Sequence, residues 1–343
     1  NSKPTTMKNP NTFSRRDFIA KSALVATGLV MVQKSSWGFP AIIRNYGKPN
    51  SKFAGVQLGT ITYSFRSLPT DAESVIKYCV ESGVSAIELM GTTAEAFAGA
   101  PNVSTEPMKP FTPGPRPELT DEQKAERAKR AKDLADWRAK VAMDKFGQLR
   151  KMYKDAGISI YAYKPNAFGV NNTDAEVDYG MRAAKALGAT HVTLELPQEA
   201  GQTKRLADIA AKNKILVAYH GHEQQTPTVW DAALAESQFN AMNCDLGHYT
   251  AAGYDAVKLI EAKHDRIASA HLKDRQNPEH GKANLVWGSG DTPIVAILQT
   301  MKKNKYKFPG IIELEYEIPA DSTPVKEVAK CLEYSRKALE KTV

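Results

Sequence analysis

Short apolar runs alternate with amphipathic stretches along the chain from residue 53 onwards. The apolar runs have the length and β-branched content of buried strands, and the stretches between them repeat apolar residues at helical spacing. The predicted strands are Ala54–Ile61, Ala86–Leu89, Ile158–Tyr163, His191–Leu196, Ile215–His220, Asn240–Asp245, Ile267–His271 and Gly310–Glu315. The predicted helices are Asp71–Ser82, Asp174–Leu187, Gln202–Lys212, Asp255–His264, Pro293–Lys303 and Val325–Leu339.

This alternation indicates an α/β fold with parallel strands joined by right-handed crossovers. Gly83, Gly157 and Gly188 each fall between a helix and the next strand, where glycines commonly end helices. Eight strands are also the number that closes a (β/α)8 TIM barrel. An open doubly wound sheet is the alternative, but no glycine-rich phosphate loop follows the first strand. We therefore predict a single-domain barrel over residues 45–343.

Residues 101–153 interrupt this rhythm and are interpreted as an insertion. Residues 101–118 contain six prolines and predict an extended loop, compatible with a lid or an oligomer contact. The charged stretch Thr120–Tyr153 predicts one long helix, with Thr120 as N-cap and Gln123 completing a capping box. Acidic residues interleave with its basic run Arg127–Lys132, which favours a solvated helix face over a nucleic-acid surface.

Much of the chain's positive charge lies near its start. The formal net charge is +8, and residues 1–40 carry six basic side chains against one acidic side chain. Paired Arg15 and Arg16 precede the apolar run Ala23–Val32, which is the layout of a twin-arginine export signal. The run is too short for a stable membrane span, which needs about 20 apolar residues. We expect residues 1–44 to be a signal and linker that direct the protein to the periplasm; an ordinary basic tail or an uncleaved anchor is the alternative.

Side chains that commonly bind metals gather at the ends of the predicted strands, where barrel enzymes place their reactive groups. They are Glu195, His220, His222, Asp245, His248, His271, Glu313 and Glu315. The three cysteines are scattered and form no metal-binding pair. A His/Asp/Glu site without cysteine suits one divalent ion, with Mn²⁺ expected first and Mg²⁺, Co²⁺ or Zn²⁺ as alternatives.

Four short motifs on successive strands carry a family resemblance. They are YHGH at 219–222, CDLGH at 244–248, HLKD at 271–274 and IELEYE at 312–317. With them, the chain from about residue 53 to 340 resembles the xylose-isomerase-like TIM barrels, a superfamily of sugar isomerases and epimerases that also includes inosose dehydratases and endonuclease IV. The resemblance implies one divalent metal held by Glu, Asp, His and Glu from strands five to eight.

The resemblance places Asp245, His271 and Glu315 in the last three ligand positions. Strand five departs from the pattern, because His220 stands where the family has Glu. Either His220 binds the metal, or Glu195 from the neighbouring strand supplies the missing carboxylate. We favour Glu195 as the ligand, which would leave His220 free to transfer protons.

The remaining predicted site residues transfer protons or contact substrate. We expect His220, His222, Glu315 and Lys273 to be catalytic. The expected substrate contacts are His248, which the resemblance places on substrate oxygens, with Glu88, Glu223 and Trp287. Purely structural roles compete at several positions: Lys273 could pair with Asp274, and Trp287 could belong to the core.

These features predict a divalent-metal-dependent sugar isomerase or epimerase that transfers a proton next to a carbonyl group. Export favours an unphosphorylated sugar or sugar derivative, because phosphorylated metabolites stay in the cytoplasm. The alternatives are a lyase or dehydratase acting on a keto-sugar or keto-glycoside, and a non-catalytic exported sugar-binding barrel. The expected partner is a small sugar, and the sequence is compatible with a homo-oligomer. We expect no nucleic acid because the body of the chain is only mildly basic.

Overall fold

The computed structural model describes residues 46–109 and 118–341. The predicted export signal and residues 110–117 of the proline-rich loop lie outside the described residues. Within the described residues, no helix combines the length and the apolarity needed to cross a membrane.

Eight parallel strands form a closed barrel, which confirms the predicted fold. They are β1 (Val56–Ile61), β2 (Ala86–Met90), β3 (Ser159–Lys164), β4 (His191–Glu195), β5 (Leu216–His220), β6 (Asn240–Asp245), β7 (Ile267–Leu272) and β8 (Gly310–Ile312). Each strand pairs with its neighbours in chain order. The barrel closes because β1 pairs with β2, with Thr60 opposite Ile87, and also with β8, with Leu58 opposite Gly310.

The last strand, β8, is shorter than predicted. The predicted range was Gly310–Glu315, but regular pairing ends at Ile312. Beyond that residue, the Leu314 backbone N–H donates to the Ser64 hydroxyl at 3.1 Å instead of continuing the ladder. The IELEYE segment therefore begins on the strand and continues as a loop over the carboxyl end of the barrel.

Helices surround the strands, and most of them bury an apolar face on the sheet. They are Ala72–Ser82, Gly91–Ala98, Asp121–Lys140, Asp144–Asp155, Asp174–Leu187, Gln202–Asn213, Asp231–Glu236, Leu246–Ala251, Ala256–Lys263, Ile294–Asn304 and Pro324–Glu340. Gly83 and Gly188 end their helices at positive φ, as predicted. Gly91–Ala98, Asp231–Glu236 and Leu246–Ala251 are short helices that the apolar pattern did not reveal.

The prediction of one long helix in the insertion is wrong, because the structure contains two. The first begins with the predicted Thr120–Gln123 capping box and ends at Lys140, where Val141 adopts an extended conformation. Its first turns are fully exposed; near its end Arg138 is buried and Trp137 is partly buried against the core. The second helix, Asp144–Asp155, instead buries Phe146, Leu149 and Tyr153 against the barrel. The break between them allows one solvated helix and one packed helix to follow each other in the chain.

Candidate metal centre and active site

A small cavity opens at the carboxyl ends of the strands, where barrel active sites lie. Its volume is about 230 Å³. It is lined by Ile61, Tyr63, Met90, Lys164, Glu195, His220, His222, Glu313 and Glu315. The polar members of this lining come from β3, β4, β5 and the segment after β8, so the fold brings residues distant in sequence into one pocket.

Four buried side chains, two of which line this cavity, lie close enough together to hold a metal ion and are named the floor group. They are His220, Asp245, His271 and Glu313, and one ligand atom from each lies within 4.8 Å of the others. They stand at the ends of β5, β6 and β7 and just after β8. Two imidazoles and two carboxylates are a donor set that suits Mn²⁺, Zn²⁺ or Co²⁺.

The imidazole of His220 is held in one tautomer by Asn243. Asn243 Nδ2 donates to Glu88 at 3.2 Å and to the Ser269 hydroxyl at 2.8 Å, so its Oδ1 faces His220 Nδ1 at 2.7 Å. The amide oxygen only accepts, and Nδ1 must therefore carry the proton. The remaining lone pair of His220 is on Nε2, 3.9 Å from Asp245 Oδ2. Burial lowers the pKa of His220 to about 4, which keeps this ring neutral and able to bind a metal.

His271 lies between two carboxylates. Its Nε2 is 2.8 Å from Glu88 Oε2, and its Nδ1 is 2.9 Å from Glu313 Oε2. Burial alone would lower the pKa of His271, but Glu313 and Glu88 outweigh it and raise the pKa to about 10. Burial would likewise raise the pKa of Glu88, yet His271, Lys164 and Thr193 bring it down to about 2. At this pKa both ring nitrogens of His271 are protonated, so binding a metal through Nδ1 would release the proton that faces Glu313. Glu88 would then orient the ring through Nε2–H, the role that partners of metal-bound histidines commonly have.

A lysine ammonium lies among the carboxylates. Lys273 Nζ is 2.9 Å from Asp245 Oδ2, 2.7 Å from Glu313 Oε2 and 2.9 Å from Glu315 Oε2. The side chain is only 2% exposed. Burial would raise the pKa of Asp245, but the nearby Lys273 charge lowers it below its usual value.

The mouth of the cavity carries a second group of titratable side chains. Lys164 Nζ lies 2.9 Å from Glu195 Oε1, and His222 Nδ1 lies 3.3 Å from Glu195 Oε2. Glu195, His220 and His222 are also close enough together to hold a metal. Because His220 has only one free nitrogen, the mouth group and the floor group cannot both use it at the same time.

His248 lies between Arg275 and Glu315. The guanidinium of Arg275 donates to His248 Nδ1, so the proton of the neutral ring is on Nε2, which lies 3.5 Å from Glu315 Oε2. Burial lowers the pKa of His248 to about 3. Arg275 also donates to Glu223 Oε1 at 2.7 Å, which places Glu223 beside this arginine and makes it a neighbour of the site.

One predicted substrate contact, Trp287, lies away from this constellation, and the alternative pairing of Lys273 with Asp274 is absent. Trp287 packs edge-on against Tyr334, with ring centroids 5.9 Å apart, and belongs to the hydrophobic core. Lys273 does not pair with Asp274, whose Oδ2 accepts backbone N–H groups from Gly288 and Gly290 at 2.7 and 3.0 Å.

The predicted ligand set and the floor group share two of four residues. Asp245 and His271 are common to both, whereas Glu195 lies at the mouth and Glu315 contacts Lys273 and His248. Sequence reasoning did not single out Lys164 or Asn243. Both positions could have been recognised from the sequence. Lys164 is the last residue of β3, as Glu195 is of β4, and Asn243 lies on the same face of β6 as Asp245.

Comparison with solved structures shows the same fold at low sequence identity. A sugar phosphate isomerase/epimerase from Parabacteroides distasonis is 17% identical, with a TM-score of 0.56 over 85% of this chain and 98% of that chain. A 3-keto-D-glucoside 4-epimerase from E. coli is 12% identical, with a TM-score of 0.55 over 82% and 99%. A probable 3-DHS dehydratase from Bacillus anthracis is 13% identical, with a TM-score of 0.56 over 84% and 100%.

Sequence comparison with protein families gives a more specific result. No curated protein matches the chain significantly. The model of one family, described as xylose isomerase-like TIM barrel, matches residues 76–338. That range spans β2 to β8 and includes every residue of the cavity floor. The chain therefore belongs to the xylose isomerase-like TIM barrel family.

Proposed function

We propose that this chain is a divalent-metal-dependent enzyme that isomerises or epimerises a sugar by moving a proton next to a carbonyl group. The observation that carries the proposal is the buried floor group of His220, Asp245, His271 and Glu313, with its ligand atoms within 4.8 Å of one another. Membership of a family with sugar isomerases and epimerases among its solved relatives supports the same conclusion.

The floor group fits a divalent metal in its donor chemistry. His220 offers a neutral nitrogen, Asp245 and Glu313 offer carboxylate oxygens, and Glu88 orients the ring of His271. These four residues would hold the ion. They differ from the set predicted from the sequence by having His220 and Glu313 instead of Glu195 and Glu315. A bound divalent ion supplies Lewis-acid polarisation of carbonyl and hydroxyl oxygens.

The side chains around the floor group would move the proton and hold the substrate. Glu315 and His222 line the cavity from the segments that follow β8 and β5 and are our acid/base candidates. His248 Nε2–H, 3.5 Å from Glu315, is placed to donate to a substrate oxygen beside that carboxylate. Lys164 adds an ammonium at the mouth that would stabilise negative charge developing on an oxygen.

The charge of the cavity supports a neutral sugar as substrate. Its lining contains the carboxylates Glu195, Glu313 and Glu315 against one lysine, Lys164. The one lysine of this lining, Lys164, is already paired with Glu195 at 2.9 Å, so a phosphate group would find no unpaired lysine or arginine in the lining to bind it. We therefore propose an unphosphorylated sugar or sugar derivative, in agreement with the predicted export.

A lyase or dehydratase is the second candidate. It is favoured by His220, which is neutral, lies on the cavity floor and replaces the carboxylate that the family resemblance implies on strand five. Two-base epimerisation needs an acid/base group on each face of the substrate, whereas elimination needs one base and one acid near the leaving group. The fold shared with a probable dehydratase supports this alternative.

One experiment tests the proposal and separates its two forms. The purified protein is assayed for bound metal and then incubated in D₂O with a panel of free sugars and 3-keto-glycosides. We expect a bound divalent ion, and deuterium entry at a carbon beside the carbonyl that stops when a chelator removes the ion. A product with an inverted stereocentre or a shifted carbonyl group indicates an epimerase or isomerase. An unsaturated product indicates a lyase. An Asp245→Asn variant is the matched control. Absence of metal and of exchange with every sugar would refute both forms and leave the non-catalytic sugar-binding barrel.

We further propose that the signal predicted in residues 1–44 directs export to the periplasm. The paired Arg15 and Arg16 before Ala23–Val32 support it. Replacing both arginines by lysine keeps the charge and should retain the protein in the cytoplasm, as measured by cell fractionation. Unchanged periplasmic recovery of this variant would contradict twin-arginine export.

A further inference from the structure

The carboxylates of the floor group already have a cation of their own. Lys273 Nζ contacts Asp245 Oδ2 and Glu313 Oε2 at 2.9 and 2.7 Å. These are the same oxygens that face the free nitrogen of His220, at 3.9 Å, and His271 Nδ1, at 2.9 Å. The ammonium therefore contacts the atoms that a metal in the floor group would use.

The position of Lys273 is built into the fold. Its aliphatic stem runs directly past Gly247 in the CDLGH motif, where an added Cβ would clash with Lys273 Cγ and lie 2.7 Å from the Lys273 carbonyl oxygen. The side chain is 2% exposed. Only glycine at position 247 leaves room for the stem, so the lysine is held deep in the site by packing as well as by charge.

We infer that Lys273 is an internal counter-cation that competes with the divalent metal for Asp245 and Glu313, and that metal binding leaves Lys273 paired with Glu315 alone. An ammonium and a divalent ion repel each other strongly at contact distance in a buried site. Glu315 lies outside the floor group yet forms an ion pair with Lys273 at 2.9 Å, so it offers the displaced ammonium a partner. This inference rests on the metal site of the proposed function.

The exchange of Lys273 for the metal at Asp245 and Glu313 has two consequences. Without metal, Lys273 compensates buried carboxylates that would otherwise repel one another, and the protein stays folded. With metal, the ammonium is confined to Glu315, which lines the cavity. Loading the metal would thus also move a positive charge towards the substrate.

Calorimetric titration with MnCl₂ tests the exchange without any substrate. Lys273→Met removes the charge and keeps the length of the stem; it should bind Mn²⁺ about tenfold or more tightly than the unmodified protein, which corresponds to about 1.4 kcal/mol. Lys164→Met is the matched control, because Lys164 forms its ion pair with Glu195 and not with the floor group; we expect its affinity to change by less than about threefold. In thermal melts without metal, Lys273→Met should have the lowest Tm and show the largest rise when Mn²⁺ is added.

A double-mutant cycle gives a second readout in case Lys273→Met folds poorly. Glu315→Gln alone should weaken Mn²⁺ binding, because the displaced ammonium loses its partner. In the Lys273→Met background, or in Lys273→Gln, the same change should have little effect. A Glu315 effect that persists in both backgrounds would instead mean that Glu315 binds the metal directly, and would overturn the exchange.

The outcomes also separate this inference from the proposed function. If the unmodified protein binds Mn²⁺ and Lys273→Met binds it equally or more weakly, the exchange is wrong and the metal-dependent function stands. If only the Lys273 variant binds Mn²⁺, the competition is supported and the metal-dependent function is refuted. If neither protein binds Mn²⁺, both are overturned.

Discussion

Two parts of the molecule are dense in charge, the helix Asp121–Lys140 and the floor of the cavity. The helix arranges its charges as exposed pairs one turn apart, such as Lys129–Asp133 at 3.1 Å and Arg130–Glu126 at 2.7 Å. At the cavity floor, Lys273 and its acidic partners come from different strands and are largely removed from water. The distances are similar in both regions, but the surroundings are not.

The difference between these regions is one of desolvation. Water and salt screen the pairs on the helix, so each contributes little to stability. In the buried cluster, every charge must find a partner, and pKa values move far from their usual positions. Charge density in a sequence is therefore a poor guide to function, whereas charges at strand ends, where the fold buries them together, are a better one.

Arg138 gives the sharpest test within one helix, because it is the one buried residue of Asp121–Lys140. It donates to Glu95 at 2.8 Å and to Glu176 at 3.1 Å. Arg138→Met should lower the free energy of unfolding by about 3–5 kcal/mol, since it leaves two buried carboxylates without their partner. Urea unfolding measures the loss, and a loss below about 1 kcal/mol would show that this buried cluster behaves like the surface pairs.

A buried histidine outside the metal group should make stability depend on pH. His191 Nε2 lies 2.9 Å from the Ser269 hydroxyl, and burial lowers the pKa of His191 from 6.5 to about 4. The unfolded chain then binds a proton more readily than the folded one, so this contribution is present above pH 6.5 and is lost as the pH falls towards 4. This contribution to the free energy of unfolding is on the order of 3 kcal/mol.

Urea unfolding at pH 7 and pH 4.5 checks this dependence, with His191→Gln as the comparison. The glutamine keeps hydrogen-bonding capacity but does not titrate, so the variant should lose clearly less stability on acidification than the unmodified protein. Equal losses in both proteins would contradict a role for His191.

A Glu88 variant tests whether a carboxylate that is not itself a ligand affects the metal affinity of the floor group. Glu88→Gln keeps the shape but removes the charge that faces His271 Nε2 at 2.8 Å. We expect metal affinity to fall by about 10–100-fold, the usual cost of losing such a supporting carboxylate. Metal titration measures it, with the exposed Glu317→Gln as control; the same affinity in both variants would show that Glu88 does not support the site.

The smallest effect is expected on the exposed face of the insertion helix. Lys129→Ala removes one ion pair of the type that contributes about 0.3–0.5 kcal/mol. Its unfolding free energy should stay within about 0.5 kcal/mol of the unmodified protein, with metal affinity unchanged. A loss comparable to that of Arg138→Met would remove the distinction between the two regions.

The local elements were largely predictable because they depend on local pattern. The strand Asn240–Asp245 and the helix Asp174–Leu187 match their predicted bounds, and the Thr120 capping box is present as expected. The break at Val141 was not predictable, because no proline or glycine marks it. It separates a packed helix from a solvated one, which only the tertiary structure decides.

The candidate site was predictable as a region but less so as a set of residues. Alternation along the last strand puts Glu313 and Glu315 on one face, and the sequence cannot tell which of them lies deeper. In the structure, Glu313 joins the floor group and Glu315 lines the wall. The choice between Glu195 and His220 likewise depends on Asn243, which fixes the free nitrogen of His220 and is recognisable only after folding.

The central claim is that the buried floor group, with His220 as its fourth member, binds a divalent metal. Mn²⁺ titration of the unmodified protein, His220→Ala and Glu195→Gln tests it most directly. We predict that His220→Ala weakens binding by about a hundredfold or more, because a direct ligand should cost at least as much as a supporting residue, and that Glu195→Gln changes it by less than about tenfold. The reverse order, or no Mn²⁺ binding by the unmodified protein, would contradict the claim.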